Sequence, residues 1–369
     1  MNHRPIVVDA MGGDFGPSVV VEGAVRAFHE LGISSTIVGV ESEIHSCLRT
    51  LGVEAVASTA PGISIQNATE VITMEDSPSS AIRGKVDSSI RVAFELVRKG
   101  EGSAVVSPGN TGAVMAAGLY VSGTLPGIAR PAIATLIPRV GDMQPTVLLD
   151  SGANTDCHAH QLVQFALMGT FYAKAINLYD NPRVALLSNG TEPSKGNDIT
   201  RAAYAALSEL SILNFIGYVE GRGLGKDIAD VVVCDGFIGN VTLKTMEGAV
   251  ELILDSLRFY TSQSLFRWKL GMMLAKPMFK LLFKEKLDPS SHGGAPLLGL
   301  RDVAVICHGS SNARAIMNAI RVAKKSVEGN LVEKIGAALT HLDEAGESFN
   351  EALFDRIGKR FEKKKGVVK

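Results

Sequence analysis

The apolar positions of the chain gather into short unbroken runs. Each run ends in a polar residue, passes into small residues, and then into a stretch with helical spacing. Ile6-Val-Val-Asp9 leads into Met11-Gly-Gly-Asp14 and a helix opened by Pro17, a favoured first helical position. Ala104-Val-Val-Ser107 leads into Pro108-Gly-Asn-Thr-Gly112, and Val147-Leu-Leu-Asp150 into Ser151-Gly-Ala-Asn154. The pattern returns at residues 184–197, at 231–240 and at 303–312. Residues 36–40 and 214–220 read as further strands, and 310–363 as two or three terminal helices. Fully apolar, β-branched runs suit strands buried on both faces. Strands alternating with helices predict an α/β fold with a mainly parallel sheet. In such a sheet ligands bind beyond the strand carboxyl ends, so the six turns are expected to converge on one site.

One segment breaks the pattern. Residues 249–286 run from an amphipathic helix into 265–284, which hold five basic residues and no acid. Pro277 is expected to break the helix or to start a second one. Beyond it, Lys280 and Lys284 share one face, and Met278, Leu281 and Leu282 another. A basic, apolar hairpin without a continuous span reads as an interfacial membrane anchor. The competing reading is a hairpin buried at a subunit contact. These features divide the chain into one α/β domain over 1–345, with the hairpin 249–286 inserted, and a C-terminal helix with a basic tail over 346–369. The Lys363-Lys-Lys365 run reads as a frayed, solvated end.

Composition narrows the class. The 369 residues carry 38 acidic and 37 basic side chains, a formal net charge of −1, which argues against a nucleic-acid binder. With 46% apolar residues the chain can fill a core. The N-terminus lacks the apolar core of a signal peptide. The uncharged stretch 102–129 contains six glycines and two prolines, so it reads as strand, loop and helix, not a membrane span. Cys47, Cys157, Cys234 and Cys307 are too far apart for a CxxC motif, and a reduced cytoplasmic protein is expected.

The turns hold the candidate chemistry. Small residues let backbone N–H groups approach an anion closely. No turn is a Walker A motif, because Gly190-Thr-Glu-Pro-Ser-Lys195-Gly lacks the Gly-Lys-Ser/Thr ending. Gly221-Arg-Gly-Leu-Gly225 misses the dinucleotide spacing. Lys195 can neutralise a phosphate or polarise a carbonyl, or it can be a plain loop lysine. Asn240 stands where a helix should start, as an N-cap or as a ligand-facing amide. Asp9, Asp150 and Asp235 end strands, with capping as the default role. His308 ends a strand and is a possible general base. Cys234 and Cys307 lie in apolar runs and read as packed, inert residues.

Five motifs together resemble the bacterial PlsX family. They are Asp9-Ala-Met-Gly-Gly-Asp14, Ser107-Pro-Gly-Asn-Thr-Gly112, Ser188-Asn-Gly-Thr-Glu-Pro-Ser-Lys-Gly196, Cys234-Asp-Gly-Phe-Ile-Gly-Asn240 and Gly293-Gly-Ala-Pro-Leu-Leu-Gly299. The resemblance runs from residue 5 to about 325. It implies a three-layer α/β/α sandwich like that of isocitrate dehydrogenases and phosphate acetyltransferases, and a homodimer. It also implies the reaction of acyl-acyl-carrier-protein with inorganic phosphate, giving acyl phosphate for a membrane glycerol-phosphate acyltransferase.

Phosphate is itself the nucleophile in that reaction, so no covalent acyl-enzyme, metal or nucleotide cofactor is expected. Lys195 and Asn240 are the expected catalytic pair. Gly12, Gly13, Gly109, Asn110, Thr111, Asn154 and His308 are expected around phosphate or substrate. Arg267, Trp268, Lys269, Lys280, Leu281, Leu282 and Lys284 are expected to touch the carrier protein or an anionic membrane surface, making the protein peripherally membrane-associated. The apolar hairpin between 265 and 283 is a candidate lining for the acyl chain.

Three other classes remain distinguishable. A decarboxylating dehydrogenase would need an aspartate cluster for a divalent metal and an adenine-binding loop. A short-chain phosphate acetyltransferase would use coenzyme A and would not need the hairpin. A membrane-associated scaffold would show no turnover.

Overall fold

The computed structural model describes residues 4–53, 62–73, 75–141, 143–262, 266–279 and 293–344. The elements in chain order are β1 Ile6–Asp9, α1 Pro17–Leu31, β2 Ser35–Gly39, α2 Glu41–Thr50, β3 Ile63–Asn67, α3 Pro78–Gly84, α4 Ser89–Arg98 and β4 Ala104–Ser107. Then come α5 Thr111–Ala117, which continues as a π-helical turn Gly118–Ser122, β5 Ala132–Ile137, β6 Thr146–Leu149, α6 Ala159–Ala175, β7 Arg183–Leu187, α7 Asp198–Glu209 and β8 Asn214–Val219. The chain goes on through β9 Val231–Val233, α8 Gly236–Ser262, α9 Phe266–Phe279, β10 Ala295–Leu298, β11 Val303–Ile306, α10 Ala313–Glu328 and α11 Leu331–Glu344.

The strands form one 11-stranded sheet in the order β3-β2-β1-β4-β11-β10-β5-β6-β9-β7-β8. Seven of the ten strand pairings are parallel, as the unbroken apolar runs require. Helices cover both faces, which makes the fold an α/β/α sandwich. Alternate residues of each strand feed opposite layers. In β1, Ile6 and Val8 pack with α1 and α10, while Val7 packs with α4 and α5. In β6, Val147 and Leu149 pack with α6, while Leu148 belongs to the cluster that Leu243 and Met246 of α8 cover.

The topology corrects the expectation of one convergent site. β11–β10, β10–β5 and β5–β6 are all antiparallel. Three reversals turn β6, β9, β7 and β8 against β3, β2, β1, β4 and β11. The carboxyl ends of β1, β4 and β11 therefore lie on one rim of the sheet, and those of β6, β9 and β7 on the other. The six turns form two groups of three. Local pattern reports strand type and spacing, but strand direction is set by the long-range insertion of β10 beside β5.

Three smaller expectations also change. The helix after β9 begins at Gly236, not at Asn240, because the Asp235 carboxylate accepts the Ile238 N–H (2.8 Å) and caps it there. The amphipathic segment does not start at residue 249. It is the outer part of α8, one 27-residue helix rooted at the sheet rim. Pro277 lies inside α9 and does not break it within the described residues. A single proline removes one donor from the ladder, and the neighbouring turns hold the helix across that gap. Residues 280–286 and 346–369, including Lys363 to Lys365, lie outside the described residues.

Candidate functional site: two loop clusters on opposite rims

The first rim is built from the turns after β1, β4 and β11. Asp9 is buried, and its carboxylate accepts the Ser107 hydroxyl (2.6 Å) and the Met11 N–H (3.1 Å). Ser107 Oγ in turn accepts the Gly109 N–H (3.0 Å). Burial pushes the Asp9 carboxyl up from the usual range, against hydrogen bonds from Ser107 and Ser89. Gly12 is required here: a Cβ on it would stand 2.5 Å from the Gly109 nitrogen. The Asp14 N–H bonds the Gly309 carbonyl (2.8 Å), which ties in the third turn. Asn110 caps α5 by accepting the N–H groups of Gly112 (2.8 Å) and Ala113 (3.3 Å). His308 accepts the Ser310 N–H at Nδ1 (3.2 Å), and its ring is exposed. A small recess opens between Asp9, Ser89, Ser107 and Asn110, with Ile72, Ile90 and Val114 as apolar walls. Its lining includes a buried carboxyl and no lysine or arginine.

The second rim is built from the turns after β6, β9 and β7. Asp150 is fully buried and accepts five N–H bonds. Oδ1 takes those of Ile133 (3.1 Å), Gly152 (3.1 Å) and Ala153 (2.9 Å). Oδ2 takes the Asn154 backbone and side-chain N–H groups, both at 2.8 Å. Burial still pushes its carboxyl above the usual range. The Asn154 amide also donates to the Pro131 carbonyl (2.8 Å), so it is held on the protein side. The start of α8 sits directly on this turn: a Cβ on Gly239 would come 1.8 Å from the Asp150 carbonyl oxygen. Asn240 is exposed, with its Cβ and Cγ 3.6 Å from where a Gly152 Cβ would stand. β7 pairs with β9, which places the Lys195 loop next along the same rim. Gly190 lies against the Lys195 stem, the Lys195 N–H bonds the Glu192 carbonyl (2.9 Å), and Asn189 accepts the Gly196 N–H (3.0 Å). Lys195 is exposed and, among the described residues, is paired with no carboxylate.

The expected site residues thus separate. Lys195, Asn240 and Asn154 share one rim. Gly12, Gly13, Gly109, Asn110, Thr111 and His308 share the other. Arg267, Trp268 and Lys269 fall in α9, and Lys280, Leu281, Leu282 and Lys284 lie outside the described residues. Asp9 and Asp150 are buried turn-organisers, in line with capping as their default role. Cys234 and Cys307 are buried, as expected; burial pushes the Cys307 thiol up to about 12 and the Cys234 thiol well above its ordinary value. The sequence reading passed over Ser89, which bonds Asp9, and the close-packing pair Gly236 and Gly239. The spacing of two small residues three apart was the one available signal for that pair. Among the described residues, no group of three or more His, Cys, Asp or Glu side chains could hold a metal ion. No described helix is long and apolar enough to cross a membrane.

Known proteins share both the sequence and the fold. The family model described as fatty acid synthesis protein matches residues 5–334. A phosphate acyltransferase of Syntrophotalea carbinolica is 50% identical over 340 residues, covering 92% of this chain and 95% of that one. A phosphate acyltransferase of Geobacter sulfurreducens is 47% identical over 352 residues, covering 94% and 99%. Among solved structures, a phosphotransacetylase from Streptococcus pyogenes superposes with a TM-score of 0.58 at 19% identity, covering 88% of this chain and 95% of that one. A branched-chain phosphotransacylase from Enterococcus faecalis gives 0.53 at 13% identity, covering 88% and 99%. The structural likeness shows the shared α/β/α fold. The sequence likeness carries the assignment: the chain belongs to the PlsX family of fatty acid synthesis proteins and is an acyltransferase.

Proposed function

We propose that the protein transfers a long-chain fatty acyl group from acyl-acyl-carrier-protein to inorganic phosphate. A phosphate oxygen attacks the thioester carbonyl, and the tetrahedral intermediate collapses to acyl phosphate and the carrier thiolate, which takes up a proton. The observation that carries the assignment is the rim that sets Lys195 beside the α8 start with Asn240. Lys195 is an exposed cation without a carboxylate partner among the described residues, suited to hold the phosphate dianion against the carbonyl. Asn240 presents an amide to the developing oxyanion. Phosphate belongs at this rim, because the recess at the other rim contains a buried carboxyl and no lysine or arginine. Gly12, Gly13, Gly109, Asn110, Thr111 and His308 then serve another part of the donor. No thiol is needed as a nucleophile, which agrees with burial holding Cys157, Cys234 and Cys307 in their protonated form.

The homodimer, the acyl carrier protein and an anionic membrane surface are the partners of this reading. The basic residues of the hairpin suit docking of an acidic carrier protein. The test is phosphate-dependent consumption of palmitoyl-carrier-protein by the purified chain, with acetyl-CoA and palmitoyl-CoA in parallel. Free carrier protein and a hydroxylamine-sensitive acyl phosphate are the expected products. Turnover of acetyl-CoA alone would move the protein to the short-chain phosphate acetyltransferases, and silence with all three would reject the reading.

A further inference from the structure

The recess on the first rim is lined by polar groups that are mostly committed within the protein. Asp9 is buried, and four donors aim at its carboxyl: the Ser107 and Ser89 hydroxyls and the Met11 and Gly12 N–H groups. Both hydroxyl hydrogens are therefore turned toward Asp9. Ser107 Oγ also accepts the Gly109 N–H (3.0 Å), so its lone pairs are in use. Ser89 lines the recess at 3% exposure, and among the described residues nothing donates to its hydroxyl oxygen. Asn110 supplies the opposite polarity. Its Oδ1 accepts the N–H groups of Gly112 (2.8 Å) and Ala113 (3.3 Å), which fixes the amide plane. Its NH2 group donates to no described residue. The recess thus offers one spare acceptor and one spare donor between walls of Ile72, Ile90 and Val114, with no lysine or arginine in its lining. Ile90 of α4 and Val114 of α5 belong to one core cluster, which holds the two polar groups at a fixed separation.

We propose that this recess binds a secondary amide, and that its occupant is an amide of the pantetheine arm that carries the acyl group. The inference deepens the acyl-transfer reading and takes the identity of the donor from it. The amide carbonyl accepts from Asn110 Nδ2, the amide N–H donates to Ser89 Oγ, and the flanking methylenes lie on the apolar walls. The lining excludes the other parts of the substrates. A phosphate group would meet the Asp9 carboxyl with no cation in the recess to offset it. A hydrocarbon tail would cover the Ser89 lone pairs and the Asn110 NH2 group and leave both without partners. Inorganic phosphate and the acyl chain contain no amide, whereas the arm alternates amides with short alkyl stretches. Both protein groups are already fixed by their own hydrogen bonds, so little ordering is needed when the amide enters.

The test uses the full-length protein with phosphate and two small donors, palmitoyl-pantetheine and the palmitoyl thioester of 2-mercaptoethanol, which has no amide. Wild type should prefer the pantetheine thioester by at least about fivefold in kcat/KM. Ser89→Ala removes the acceptor. Asn110→Ser removes the donor while keeping an N-cap oxygen for α5. Each variant should lose about five- to tenfold with palmitoyl-pantetheine, mainly through KM, and under about twofold with the amide-free thioester. Thermal unfolding is followed for both, and Asn110→Ser carries the test alone if Ser89→Ala lowers the transition. A wild type without preference between the two donors would overturn the proposal. So would an unchanged preference in the variants. Equal losses with both donors would also overturn it, and would assign Ser89 and Asn110 to holding the turns in place. A wild type that turns over no palmitoyl donor, palmitoyl-carrier-protein included, would reject the acyl-transfer reading itself. That result is distinct from an active wild type whose variants keep the amide preference.

Discussion

At the scale of single residues, charge placement separates the residues that act from those that hold. Among the described residues Lys195 is exposed and has no carboxylate partner, whereas Asp150 is buried under five donors. Lys195→Ala should reduce phosphate-dependent turnover by at least about a thousandfold, with the thermal transition unmoved, because an exposed side chain contributes little to stability. A near-normal rate would remove Lys195 from the mechanism. Asp150→Asn should act on the fold instead. Its new NH2 group would face N–H donors, leaving them unsatisfied in a buried site. A loss of roughly 2–4 kcal/mol in urea unfolding is expected from that mismatch. An unchanged midpoint would show that the turn reorganises around the amide.

At the scale of elements, α8 and α9 stand apart from the rest. Only two of the 27 residues of α8 are buried, although it carries Leu252, Ile253, Phe259 and Tyr260. α9 exposes Met273, Leu274 and Met278. A helix of this length gains its stability from packing, so such exposure marks a surface that meets something apolar. The hairpin reading places the contact at a lipid surface through Leu281 and Leu282, which lie outside the described residues. Replacing both with Asp should release the protein from anionic liposomes while leaving its folding midpoint in place. Unchanged co-sedimentation with liposomes would return the hairpin to a protein–protein role.

At the scale of the molecule, one ionic cluster ties together strands that are distant in sequence. Arg139, following β5, is buried; it donates to the Thr146 hydroxyl (2.9 Å) and pairs with Asp230 (3.0 Å). Arg183 of β7 pairs with the same Asp230 (2.9 Å). Burial raises the Asp230 carboxyl, but hydrogen bonds from Arg183 and Arg139 outweigh it and hold the group below its ordinary 3.8. A depressed folded pKa contributes stability that is complete above the unfolded value and is lost as pH falls through the folded one. Asp230→Asn should therefore be destabilised by about 3 kcal/mol at neutral pH, since it leaves two guanidinium groups short of a partner. The gap from wild type should stay constant down to pH near 4 and narrow below it. A gap that stayed constant into stronger acid would show that the cluster acts through packing alone.

Most strand positions, the α/β class and the turns that hold the polar residues were legible in the order of the amino acids, whereas β3, β5 and β10 were not among the predicted strands. These depend on local rules: apolar runs for buried strands, small residues for tight turns, Pro17 for a helix start. The motif set also sufficed to indicate the family. The sequence did not reveal that Lys195 and Asn240 lie on a different rim from Gly12, Asn110 and His308. That division follows from β10, which pairs antiparallel with its chain neighbour β11 on one side and, across more than a hundred residues, with β5 on the other. Nor did residue spacing show which face α8 turns to the sheet. Rotation of α8 is set where Gly236 and Gly239 press against the Asp150 turn, a backbone contact across more than eighty residues. Local pattern decides what each segment becomes; direction and orientation are decided only when distant segments pack.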